Sequence, residues 1–153
     1  MTKVLLSLHV LAAIIAIGPV TVAASMFPAA LRRGDRDTMR TLHRICRVYA
    51  LLGVAVPLFG LATASSLGVL GDAWLIVSIV LTAIAAAVLA FAVLPTQATA
   101  LATAPGDPAP GAPSLGGAPI APARLGMVAG VFNLLWAIVV VLMIVRPGST
   151  TGA

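Results

Sequence analysis

The sequence predicts an all-α fold, an integral membrane four-helix antiparallel bundle formed by one domain. Three observations predict it: a composition too apolar for water, four apolar runs of membrane-spanning length, and basic residues gathered on one side of those runs. Of the 153 residues, 61% are hydrophobic and 8% are charged, whereas a soluble domain carries about a quarter charged residues. The surface of such a chain is therefore expected to face lipid.

The four runs define the spans. A helix needs roughly 17–25 apolar residues to cross the hydrocarbon core of a bilayer, and such runs lie at about 4–27, 45–67, 74–94 and 126–145. The sequence "VAAS" at 22–25 resembles a signal-peptide cleavage site, but the first run is longer than a typical signal core and arginines follow it. We therefore expect the first run to remain as a span.

Segment 28–44, between the first two spans, is predicted to be an Arg-rich cytoplasmic loop. The stretch "RRGDRDTMRTLHRICR", from Arg32 to Arg47, holds six of the nine basic residues. The side of the membrane reached by this loop also receives Arg124, whereas the opposite side holds only Lys3 and Arg146. Because basic residues in short loops stay cytoplasmic, both termini are predicted to lie outside.

The same segment has a helical pattern of its own. Asp35 or Asp37 is a candidate N-cap. The apolar residues on one face are Met39, Leu42, Cys46 and Tyr49, and the basic residues on another are Arg36, Arg40, Arg44 and Arg47. This pattern predicts an interfacial helix with its apolar face on the acyl chains and its arginines at anionic headgroups. Two alternatives stay open: the arginines only set the topology, or they bind a partner protein.

Segment 95–125, between the last two spans, is rich in proline, alanine and glycine and lacks an apolar period. It is predicted to be a flexible cytoplasmic linker, with a short helical continuation of the third span through Ala102.

Small and polar residues predict which face of each span points inward, because lipid-embedded helices pack through such residues. The stripes are His9, Ala13, Ala16 and Val20; Gly53, Pro57, Gly60 and Ala64; Ser78, Thr82, Ala85 and Leu89; and Gly126, Gly130, Asn133 and Ala137. Four such stripes predict a narrow interior with little room for a bulky cofactor.

His9 is the one titratable side chain well inside a span, and such a residue is a functional hypothesis by default. In a structural role, its neutral imidazole would bond to a hydroxyl of another span, with Ser78 the first choice. In a functional role, His9 and the thioether of Met143 would bind copper, or the imidazole would serve a proton, quinone or haem. Otherwise no cofactor is expected.

Asn133 is predicted to be structural. Pro19 and Pro57 leave the carbonyls of Ile15 and Gly53 without their helical donors. The Asn133 amide lies at a similar predicted depth and would satisfy one of them.

Several classes are disfavoured. No carboxylate lies inside a span, although small proton-coupled exporters depend on one. The single cysteine, Cys46, allows no intrachain disulfide and no CxxC zinc site. Hydrolase, metalloprotease and nucleotide-binding motifs are absent from the sequence, and no basic face suits nucleic acid.

Three stretches carry a resemblance: "LHVLAAIIAIGPV" with the Arg-rich segment behind it, "GVAVPLFGLA" and "AWLIVSIVL". They resemble bacterial four-span families described only as predicted integral membrane proteins. They are also loosely similar to the membrane domain of CopD-type copper-resistance proteins, where only His9 matches, and the other histidines and methionines of a copper importer are missing. The resemblance implies a bacterial plasma-membrane protein.

The sequence favours a small non-enzymatic membrane protein, an accessory or structural subunit of a membrane complex or a homo-oligomer. The alternatives are a metal- or redox-linked protein that uses His9, and a channel or carrier for a small solute.

Overall fold

The computed structural model describes residues 2–103 and 120–148, and every regular element in those ranges is helical. The elements are α1 (Thr2–Arg33), α2 (Arg36–Leu52), α3 (Ala55–Leu67), α4 (Ala73–Val88), a π-helical turn (Leu89–Val93), α5 (Leu94–Thr103) and α6 (Pro122–Val145). They form four units that are long and apolar enough to cross a membrane: α1, α2 with α3, α4 through α5, and α6. The predicted all-α, four-span fold is confirmed.

The helices run well beyond the apolar runs. Thr2–Arg33 has 32 residues, or about 48 Å of helix, compared with about 30 Å of hydrocarbon. The predicted Arg-rich segment 28–44 consists of two helix ends joined by a tight turn at Gly34 and Asp35, and the helix predicted after Asp35 is the start of α2. Hydropathy indicates where contact with lipid ends, but a helix can continue beyond that point where its side chains pack on protein. The end of α1 does so, because Phe27 and Ala30 are buried.

Helix α2 packs against α1 and α5. Its start is fixed by Asp35, whose carboxylate accepts from the backbone N–H of Thr38 at 3.0 Å, so that the first of our two candidate caps is confirmed. The apolar residues Met39, Leu42 and Cys46 are buried in the protein core. Our prediction that this face lies on acyl chains is wrong, since an amphipathic stripe fits a protein neighbour as well as a membrane surface.

Gly53 and Val54 interrupt the second span between α2 and α3. Proline has no N–H and its ring clashes with the carbonyl four residues earlier, so Pro57 prevents a regular helix around Gly53. The Gly53 carbonyl instead accepts from Val56 N at 3.1 Å, and Val54 N donates to Leu51 O at 3.2 Å. The chain can therefore change direction here.

The inward stripes hold for the first and third spans, with Ala16 and Ser78 among the buried residues. In the second span Ala64 is buried but Pro57 is exposed. The prediction for the fourth is wrong. Gly126, Gly130 and Ala137 of that stripe are exposed. The buried residues of α6 are Leu125, Ala129, Phe132 and Val139. This helix therefore contributes large side chains to the interior in place of the small residues that we predicted.

Part of segment 95–125 is ordered helix, because α5 extends to Thr103 and buries Gln97 and Ala100. The rest of the predicted linker falls largely on residues 104–119, which lie outside the described residues.

Candidate functional site

A cavity of about 680 Å³ lies among the four spans, at the end of the bundle that carries the start of α1, the α3–α4 turn and the end of α6. It exists because α3 packs on α1 while α4 packs on α6, so that α3 and α4 diverge after their turn. Its volume is in the range of about 300–1,000 Å³ typical of small-molecule sites. The interior is therefore wider than the four small-residue stripes predicted.

The cavity is long and open on one side. Its lining extends along α4 from Trp74 to Ala86 and along α6 from Trp136 to Arg146, which corresponds to about 15–18 Å of helix. That depth is roughly half of a 30 Å hydrocarbon core. Helix α3 packs on α1 and α4 packs on α6, but α3 and α4 do not pack extensively on each other. We infer that the cavity opens sideways between α3 and α4, where lipid would lie.

His9 lies in the wall of this cavity. Its Nδ1 is 2.9 Å from the carbonyl oxygen of Val56. A carbonyl only accepts, so Nδ1 carries the proton, and in the neutral ring Nε2 remains as an acceptor. The prediction of a hydroxyl partner is wrong. Ser78 is fully buried and donates to Trp74 O of its own helix at 2.8 Å.

Gly60 makes room for the imidazole. A Cβ at this position would lie 2.9 Å from His9 Cε1, closer than Cβ atoms approach other atoms, and 3.2 Å from His9 Nδ1, which is also a tight contact. The ring of His9 therefore lies directly against the backbone of α3. Both residues were predicted to lie on inward faces, but the sequence did not indicate that they pack against each other.

Asn133 connects α6 to α1. Its Nδ2 donates to Ser25 Oγ at 2.9 Å, and not to the carbonyl of Ile15 or Gly53. The Gly53 carbonyl is not the partner because it already accepts from Val56 N. Asn133 also lies beside Ser25, which is closer to the C-terminal end of α1 than Ile15 is.

Arg146 lies over Trp74 at the end of the cavity beside the α3–α4 turn. We call this end the mouth of the cavity, as distinct from the sideways gap between α3 and α4. The guanidinium carbon of Arg146 is 5.6 Å from the ring centroid of Trp74, a cation–π distance. Trp74 is itself held by Asp72, because the indole Nε1–H donates to Asp72 Oδ2 at 3.0 Å. Arg146 Nε also donates to Met143 O at 3.4 Å. From the sequence, Arg146 was predicted to contribute only to the charge asymmetry between the two sides of the membrane.

The candidate copper ligands His9 and Met143 line this same cavity. In the described ranges, no group of three or more His, Cys, Asp or Glu side chains could hold a metal. Imidazole nitrogen and thioether sulfur are donors that copper accepts, so His9 and Met143 would supply two ligands, and the copper assignment stays a prediction.

A polar cluster at the opposite end of the bundle was missed. His43 Nδ1 is 3.1 Å from Gln97 Oε1, and Gln97 Nε2 donates to Cys46 Sγ at 3.6 Å. Gln97 is 1% exposed, so this cluster joins α2 to α5. The available signal was that Gln97 is the single glutamine of the chain, within a segment otherwise of small residues.

The four arginines that we predicted on one surface divide into two groups. Arg36 is half-buried, and its Nη2 donates to Leu101 O at 3.2 Å near the end of α5. Arg40, Arg44 and Arg47 are exposed, and Arg40 pairs with Asp37 at 3.3 Å. We call these three residues the α2 arginine surface.

No curated protein and no solved structure matches the chain, and the likeness to CopD-type proteins stays a prediction. One family matches residues 3–147, nearly the whole chain, and it is described as "Predicted integral membrane protein (DUF2269)". The match agrees with the four membrane-length helices and with the expected family of predicted membrane proteins. The chain belongs to the DUF2269 family of predicted integral membrane proteins.

Proposed function

We propose that this protein is a non-enzymatic membrane protein that holds a lipophilic molecule in the cavity among its spans. The cavity itself carries the proposal, since it is large enough for a small-molecule ligand, almost wholly apolar, and bordered by all four spans. Its opening between α3 and α4 would admit a molecule dissolved in the bilayer. His9 Nε2 supplies one hydrogen-bond acceptor in an otherwise apolar wall.

The proposal includes a location, the bacterial plasma membrane with both termini outside. On α2, the exposed side chains change from Arg47 to Val48 and Leu51. From Val48 to Leu67 the chain would rise about 30 Å as helix, which matches the hydrocarbon core. Basic residues at the start of that length support a cytoplasmic position for α2, and the cavity then lies in the outer half of the membrane.

The native tryptophans provide the test. The chain has two, Trp74 and Trp136, and both line the cavity. We expect a brominated apolar ligand to quench their fluorescence in saturable fashion. Ala83→Phe, which places a ring in the cavity wall, should abolish the saturable part.

Ala87→Phe is the matched control, because Ala87 is an exposed alanine one turn further along α4 that does not line the cavity. Equal saturable quenching in both variants would contradict the proposal.

A second candidate function is an accessory subunit of a membrane complex, or one copy in a homo-oligomer. The α2 arginine surface favours it, because three cations are exposed on a helix whose other face is fixed in the core. An acidic partner protein would bind there. The test is gentle solubilisation and purification. Under this candidate a stoichiometric partner co-purifies with the native chain and is lost when Arg40, Arg44 and Arg47 are all changed to Gln.

A further inference from the structure

The mouth of the cavity holds a cation placed for an anionic group. Arg146 and Lys3 are the two basic residues on this side of the predicted topology, and of the two only Arg146 lines the cavity. Within the described part of the chain, the ion-pair partners are Arg40 and Asp37, so no carboxylate there forms a salt bridge with Arg146. The Asp72 carboxylate instead accepts from Trp74.

The backbone at Arg146 has an unusual conformation. Its φ is 45°, which makes it the non-glycine residue with positive φ in the described ranges, and Pro147 follows it. Glycine or asparagine usually occupies the left-handed position after a helix. A strained residue of this kind is an observation from which a functional role can be inferred. Here the bend ends α6 with the guanidinium lying over Trp74, at the cavity mouth.

The dimensions of the cavity fit one acyl chain. From Arg146 the lining runs about 15 Å along α6 to Trp136, about the depth of one leaflet. An amphiphile whose headgroup lies at the level of Arg146 would therefore reach the inner end of the cavity with its tail. A volume of about 680 Å³ suits an amphiphile with one acyl chain, which is about the size of a drug molecule, better than a phospholipid with two acyl chains.

We propose that the cavity binds an anionic amphiphile with a single acyl chain, its tail between α3 and α4 and its carboxylate or phosphate on the Arg146 guanidinium. This inference rests on the proposed lipophilic site and adds the ligand class. A guanidinium binds either anion through charge-assisted hydrogen bonds, so a fatty acid and a lysophospholipid share the required chemistry.

The experiment compares three brominated ligands by quenching of Trp74 and Trp136 in protein held in neutral-lipid nanodiscs: a fatty acid, its methyl ester, and a lysophosphatidate. We expect both acids to half-saturate at concentrations at least about tenfold below the ester, since each charged hydrogen bond contributes more than a neutral contact. Tighter binding of one acid than of the other identifies the headgroup and supports the inference.

Arg146→Gln should raise the half-saturating concentration of the preferred acid about tenfold and leave that of the ester unchanged. Arg146→Lys should restore most of the affinity, and Lys3→Gln, the control on the same side, should not change it. Each signal is normalised to the ligand-free variant, because the loss of the cation over Trp74 can change its emission.

Equal affinities for ester and acid, or an unaltered affinity in Arg146→Gln, would overturn the headgroup assignment. If Ala83→Phe changes the binding of none of the three ligands, it is the lipophilic site itself that fails.

Discussion

At the scale of single residues, the His9 ring occupies the space that a Cβ at position 60 would need. The ring lies against the α3 backbone with Nδ1 on the Val56 carbonyl, 2.9 Å away. The carbonyl has two lone pairs, so the imidazole can bond there in addition to a helical N–H. The backbone of Gly60 is helical and not left-handed, so its conformation does not require glycine. Glycine is needed here because the His9 ring leaves no space for a Cβ.

Gly60→Ala is expected to lower the free energy of unfolding by about 1–3 kcal/mol, the usual cost of overpacking. The new Cβ would displace the His9 ring and break its hydrogen bond. Thermal unfolding in detergent measures this. In a double-mutant cycle with His9→Ala the cost should largely disappear, and Gly130→Ala, where a new Cβ meets nothing within 4 Å, should be close to neutral. Equal destabilisation at both glycines would contradict the contact.

His9→Gln should retain the fold, because an amide N–H can also donate to the Val56 carbonyl. The expected change in the free energy of unfolding is within about 1 kcal/mol, the net value of an ordinary hydrogen bond. If this variant lost stoichiometric bound copper that the native protein retained, the metal alternative would replace the lipophilic site.

Asp35 gives the stability a pH dependence. Hydrogen bonds from the Thr38 hydroxyl and backbone N–H hold the pKa of its carboxyl below the ordinary value. A lowered folded-state pKa means that the stabilisation is fully present above the unfolded pKa, about 3.9, and is lost as the pH falls through the folded value. We expect the native protein to be more stable than Asp35→Asn at pH 7, with the difference shrinking below about pH 4. A difference that grew on acidification would contradict this assignment.

At the scale of elements, the break at Gly53 and Val54 sets where α3 points. Pro57 prevents a continuous helix, and α3 follows α1 while α4 follows α6. The gap between α3 and α4 is the entrance of the cavity. We therefore expect Pro57 to influence the width of the gap between α3 and α4.

Pro57→Ala should restore the missing backbone donor and make α2 and α3 more nearly continuous. We expect a shifted α3 and weaker saturable quenching of the tryptophans by a brominated acyl ligand. Spin labels at Thr41 and Gly71 would report the shift as a changed distance. Pro19→Ala is the control, because Pro19 also lies inside a span, in the continuous helix α1, and does not line the cavity. An unchanged distance and unchanged quenching in Pro57→Ala would show that the proline does not position α3.

At the scale of the whole molecule, the bundle has two dissimilar ends. One end is basic and tightly packed, with α1, α2 and α5 around a core that includes Phe27, Met39 and Cys46. The other end contains the cavity, with Arg146 at its mouth. If the basic end is cytoplasmic, as the distribution of charge predicts, the cavity faces the outer leaflet.

A membrane-impermeant maleimide tests this orientation on intact cells. Gly71→Cys, in the α3–α4 turn, should be labelled, and Thr41→Cys, exposed on α2, should be labelled only after the cells are opened. The native chain is the control, because Cys46 is buried. Labelling of Thr41→Cys on intact cells would reverse the orientation and place the cavity in the inner leaflet.

The fold class, the four spans, the Asp35 cap and the inward direction of His9 could all be predicted from the amino-acid sequence. Each of these is a local property, because hydropathy, helical period and capping are decided by residues within a few turns of one another. Three features could not be predicted in this way: His9 lies against Val56 and Gly60, the apolar face of α2 packs on protein, and the interior widens into a cavity. Those features depend on the register and angle between helices. A stripe of small residues fixes the direction of a face and leaves its partner, depth and tilt open.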